Sequence, residues 1–171
     1  MSLSNDRKAV LELALSRTDA LTERADLKGG VIAALLTGFT AVLITSDRFL
    51  EAIRAVLSDP ASNTTELLAL IVTAVATLAA ALSVFAVLFP RTRADETSCL
   101  YFGEIARHKD AASLTREVAG DGFDPDKDLA TQVLVCSKIC SKKMHWVRIA
   151  AALTATSIIS CGIFMVLEAI G

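Results

Sequence analysis

Hydrophobic and polar positions alternate along this chain in long blocks. Three runs carry no charged side chain: 29–46 (GGVIAALLTGFTAVLITS), 67–90 (LLALIVTAVATLAAALSVFAVLFP) and 149–167 (IAAALTATSIISCGIFMVL). A helix rises 1.5 Å per residue and a hydrocarbon core is about 30 Å thick, so each run is long enough to cross, the first near the lower limit. The second run is the hub. Its Leu, Ile, Val and Phe side chains each favour insertion by roughly 0.3–0.6 kcal/mol near the bilayer centre. It leaves the apolar phase through Phe89, the helix-stopping Pro90, and the cations Arg91 and Arg93.

The blocks between the runs are polar or mixed. Residues 1–28 read as a charged helix with Val10, Leu11, Leu13, Leu15, Leu21 and Leu27 among the charges, free of Pro and Gly until Gly29. In the link 47–66, Phe49, Leu50, Ile53, Val56 and Leu57 have helical spacing and suit a helix lying along a membrane surface. The turn Asp59-Pro60-Ala61-Ser62-Asn63 follows, with Thr64 or Thr65 placed to cap the second span. The segment 91–148 predicts helical pieces near 98–108 and 113–119, then a long helix opening at Asp124-Pro125. No breaker interrupts that helix before Gly162, so it continues through Trp146, an interfacial anchor, into the third span.

The fold class expected is an all-α membrane protein: three transmembrane helices with a small cytoplasmic helical bundle. The cations orient it. Residues 1–28 hold five Lys/Arg, the first link two, and 91–148 ten. The positive-inside rule therefore puts 1–28 and 91–148 in the cytoplasm, and 47–66 and 168–171 in the periplasm. This predicts a multi-pass membrane protein. Net charge is −2, which gives no footprint for nucleic acid. Cys99, Cys136, Cys140 and Cys161 show no paired spacing and read as free thiols.

Few constellations carry chemistry. Without ionisable groups at depth the spans lack what pumps and intramembrane hydrolases use. Cys136, Cys140 and His145 give a weak metal pattern, and no metal site is expected. The acids Asp121, Asp124, Asp126 and Asp128 lack the calcium-loop glycine and read as a solvated loop. No catalytic set emerges and no cofactor is implied, so the chain is not expected to be an enzyme. Small and hydroxyl side chains recur at helical spacing: Gly38 in the first span, Thr73, Thr77 and Ala81 in the second, Ala155 in the third. They suit helix packing and oligomerisation, or one wall of an aqueous path in an oligomer. Tyr101, Phe102, Arg107, His108, Lys109 and Arg116 put stackable rings close to cations, a combination that suits a planar base with a phosphate and equally suits a core pair beside a solvated face.

The order of several short motifs resembles the Pycsar transmembrane effectors of bacterial anti-phage defence. These are Arg24-Ala25-Asp26-Leu27-Lys28 entering the first span, Val87-Leu88-Phe89-Pro90-Arg91 leaving the second, Tyr101-Phe102-Gly103-Glu104-Ile105-Ala106, and Ile139, Lys142, Lys143 and Arg148 before the third. The resemblance implies a partner pyrimidine nucleotide cyclase that makes cyclic UMP (cUMP) or cyclic CMP (cCMP) on infection. It implies that this messenger is the activating ligand, that the inner membrane is then impaired, and that the cell dies before phage spreads. Two other classes fit the residues alone: a membrane-anchored sensor or accessory subunit, and a ligand-independent channel subunit.

Overall fold

The computed structural model describes residues 3–89, 105, 109–120 and 123–170. Every element there is a helix: α1 Leu3–Thr45, α2 Asp47–Ser58, α3 Thr64–Leu88, α4 Ala111–Val118 and α5 Pro125–Ile170. Three of them, α1, α3 and α5, are long and apolar enough to cross a membrane. This is an all-α membrane protein.

Local chemistry sets the helix ends. Ser46 caps α2, its Oγ accepting from the Phe49 N–H, and Asp47 places an acid in the positive first turn. Asp110 caps α4 by accepting from the Ser113 N–H at 2.7 Å. Asp124 opens α5, its Oδ1 accepting from the Asp126 and Lys127 N–H groups, with Pro125 at the first helical position. The start of α3 differs from the threonine cap expected. Asn63 holds the cap position without a side-chain cap bond, and its amide donates to the Asp59 carbonyl instead. Asp59 organises that turn: its carboxylate takes the Ser62 hydroxyl at 2.6 Å and the Ser62 N–H, and these bonds hold its pKa below the usual carboxylate value. α1 runs through Gly29-Gly30 without a break.

The chain divides into two compact units. One comprises Met1–Arg24 and Pro90–Lys142. Its described part contains the first half of α1, whose less exposed positions Leu11, Leu15, Thr18 and Thr22 step by four, three and four. Thr18 Oγ1 lies 3.5 Å from Ser137 Oγ of α5. Burial raises the pKa of the Cys136 thiol, and the Asp19 carboxylate raises it further.

The second unit comprises Ala25–Phe89 and Lys143–Gly171, and it holds α3 with the apolar stretches of α1 and α5. Each turns an inner seam toward the others in steps of four and three. The seams are Ala25, Gly29, Ile32, Leu36, Phe39, Leu43 on α1; Ala69, Thr73, Ala76, Ala80, Ser83, Val87 on α3; and Lys143, Val147, Ala150, Thr154, Ser157, Cys161, Phe164 on α5. A 3.5-residue repeat is the spacing of left-handed supercoiled packing. The α3 seam is made almost wholly of small side chains, which let backbones approach closely. The larger residues point away: Leu68, Ile71, Val75, Leu78, Leu82 and Phe85 are all exposed. In lipid that is the expected arrangement, since acyl chains solvate Leu as well as a protein interior does.

α2 departs from the surface-lying helix expected. Its apolar face, Phe49, Ala52 and Val56, is buried against Cys161 and Phe164, with Phe39, Leu43, Leu67 and Leu70 around them. Phe49 and Phe164 meet edge to face at 5.7 Å. The five-residue turn after α2 and the single residue before it leave the helix no reach beyond the span ends, so its apolar stripe closes that end of the bundle.

Candidate functional site: a polar seam through an apolar bundle

Two polar features interrupt the apolar packing of the second unit. The first is a hydroxyl ladder between α3 and α5. Thr77 Oγ1 donates to its own helix at the Thr73 carbonyl, 2.7 Å away, which uses its one hydrogen. Ser157 Oγ lies 2.6 Å from Thr77 Oγ1 and 3.4 Å from the Thr73 carbonyl, so it meets α3 through that pair of oxygens. Ser160 Oγ donates to the Ala69 carbonyl at 2.9 Å, a second rung on the same pair of helices. Ser157 is completely buried. Hydroxyls that back-bond to their own helix, as Thr73, Ser83 and Thr154 do, are satisfied without a partner helix; the Ser157 and Ser160 bonds cross between helices. Each crossing bond in a bilayer is worth about 0.6 kcal/mol and at most about 1.7. The ladder fixes register and leaves no hydroxyl of these two rungs facing outward.

The second feature is an ion pair. Lys143 Nζ donates to both carboxylate oxygens of Asp26, at 2.7 and 2.8 Å. The lysine side chain is 10% exposed and the aspartate 45%, so a buried cation is held by an anion that water still reaches. Beside this pair residues of all three apolar helices meet. Ala25, Val87 and Val147 form a buried cluster with Ile32 and Met144, and a Cβ built on Gly29 would stand 3.0 Å from Val87 Cγ1.

The packing residues expected from sequence separate into two groups. Thr73, on the inner α3 seam, is buried, and Thr77, beside that seam, is half-buried. Gly38, Ala81 and Ala155 are exposed, and nothing lies within 4 Å of a Cβ built on Gly38. Within one chain these three face outward. Of the aromatic and basic cluster, Tyr101, Phe102, Arg107 and His108 lie outside the described residues. Lys109 is exposed, just before α4; Arg116, also exposed, donates from Nε to the Ala112 carbonyl of its own helix. Among the described residues no group of His, Cys, Asp and Glu gathers that could hold a metal ion.

Hydroxyls bonding across helices fit the helix packing expected from sequence, and the Asp26–Lys143 pair has a sequence signal of its own. Stepping back from Phe164 by threes and fours lands on Cys161, Ser157, Thr154, Ala150 and Val147, then on Lys143. A lysine in register with that seam requires an anion close by.

The family model that describes the Pycsar effector protein domain (PycTM) matches residues 10–169. The chain belongs to the Pycsar effector family. That match takes in the apolar stretches of α1, α3 and α5, all of α2, and both polar features. No curated protein and no solved structure matches the chain. The family implies an anti-phage effector that works with a paired cyclase and a cyclic nucleotide signal.

Proposed function

We propose that this Pycsar effector senses a cyclic pyrimidine mononucleotide, cUMP or cCMP, made by its partner cyclase, and then impairs the inner membrane so that the infected cell dies. The observation that carries this is the family match over a chain built around three spans. Its orientation is N-terminus in and C-terminus out, supported by exposed cations where α1 and α5 approach their apolar stretches: Arg24, Lys28, Lys142 and Arg148. Tyr101, Phe102, Arg107, His108, Lys109 and Arg116 contact the messenger, base on ring and phosphate on cation.

Damage requires several copies. Among the described residues one chain directs its interhelical hydroxyls inward and its large apolar side chains outward, which encloses no polar path. The exposed small residues Gly38, Ala81 and Ala155 are the faces on which copies meet. Messenger shifts the assembly by binding one packing more tightly. A change from 1:99 to 99:1 takes about 5.5 kcal/mol of differential affinity, which several sites per assembly share.

The test is dye release from liposomes holding the purified protein, with cUMP, cCMP, cAMP or no nucleotide. Release with one cyclic pyrimidine and a steep dose response is expected, and Arg116→Ala should shift the response about ten- to a hundredfold to higher nucleotide. Equal release without nucleotide would instead identify a ligand-independent channel subunit. Tight vesicles under every condition would favour a sensor or accessory subunit.

A further inference from the structure

We infer that the Asp26–Lys143 pair is a latch, and that its two halves act in opposite directions on the packing of α1 against α5. The observation is the asymmetry of burial: the cation is 10% exposed in the seam, while its anion is 45% exposed. Removing one partner of a pair penalises the structure according to how deeply the remaining charge is buried. Without Asp26, the ammonium of Lys143 remains in a seam otherwise lined by Val147, Ala150 and Thr154, with its anion gone. It gains hydration only by swinging out along its flexible stem, which draws the seam open. Without Lys143, Asp26 is left half in water and loses little. A methionine there gives the seam an unbranched apolar side chain of similar length, and closes it more firmly.

The location adds leverage. Gly29 follows Asp26 by three residues and stands against Val87, so α1 also touches α3 at this level. Val147, four residues beyond Lys143, belongs to the same buried cluster as Ala25 and Val87. Separation of α1 from α5 here loosens the contact of all three helices at that end of the bundle. The latch deepens the proposed function, since it supplies the closed packing that the messenger must overcome, and that part of the inference rests on the effector reading. The opposed signs do not.

The test uses the full-length protein in lipid nanodiscs without nucleotide. Native Cys140 is buried on α5, three residues before Lys143, and its exposure is the readout. Its alkylation rate by a water-soluble thiol reagent is followed by peptide mass spectrometry. Asp26→Asn should raise that rate tenfold or more, while Lys143→Met should leave it at or below the wild-type rate. The double variant should behave like Lys143→Met, because the buried charge that opens the seam is gone, and Asp26→Glu should stay close to wild type. If both single variants expose Cys140, the pair is an ordinary brace and the latch is wrong. If neither does, or if the double variant is as open as Asp26→Asn, the latch is also wrong. In liposomes, Asp26→Asn should leak dye without nucleotide. An Asp26→Asn protein with an exposed Cys140 and tight vesicles would support the latch and count against the membrane-damaging function.

Discussion

Gly29 and Gly30 are adjacent in sequence and opposite in environment, and replacing each by leucine gives a sharp test of the packing. A Cβ on Gly29 would stand 3.0 Å from Val87 Cγ1 and 3.7 Å from Val87 Cβ, whereas nothing lies within 4 Å of one on Gly30. Val87 has nowhere to retreat. It is completely buried, and a β-branched side chain in a helix strongly prefers one rotamer. The remaining route is to push α1 away from α3. Overpacking of this kind costs about 1–3 kcal/mol, roughly a five- to 150-fold loss in the folded-to-unfolded ratio. Gly30→Leu meets open space and should gain up to about 1 kcal/mol of helix propensity. Gly29→Ala falls between them, because the same propensity gain offsets a smaller clash. Reversible unfolding in mixed micelles by titration with SDS, followed by circular dichroism, gives the comparison. Equal stability of Gly29→Leu and Gly30→Leu would refute the close approach of α1 to α3.

Three further outcomes follow from the same contacts. Ser157→Ala should lower bundle stability by about 0.6 kcal/mol and at most about 1.7 in the same titration, and Ser157→Val by more, since the site is completely buried; a loss near zero for both would remove the hydroxyl ladder from the account. The Cys136 thiol, its pKa raised first by burial and then by Asp19, should react with iodoacetamide more slowly at pH 8 than an exposed cysteine, and should catch up as pH rises through its elevated pKa; Asp19→Asn should speed the reaction at pH 8, and an unchanged rate would show that Asp19 does not act on it. For orientation, a cysteine at Ser62 should label with a membrane-impermeant reagent in intact bacterial cells while native Cys136 and Cys140 do not, and the reverse pattern would invert the proposed topology.

That this is a helical membrane protein is legible in the sequence alone. Uncharged runs of this length must satisfy every backbone N–H and C=O internally, and the helix is the way a single segment does so. The opening of α5 is legible there too, because Asp124 and Pro125 act locally on their own turn. Tertiary structure alone decided which face of each span is inside. In a water-soluble helix the apolar stripe marks the buried side; in lipid both sides are apolar, and packing rather than hydrophobicity chooses between them. So Thr73 and Ala81, alike small and two turns apart on α3, end on opposite sides of the wall, and Gly29 and Gly30 part company. The fate of α2 was likewise undecided by its pattern, since an amphipathic stripe fits a bilayer surface and a bundle end equally; the short connections and the waiting Phe164 and Cys161 chose the bundle. The bond between Asp26 and Lys143, 117 residues apart, needed α1 and α5 side by side, and no local rule brings them there.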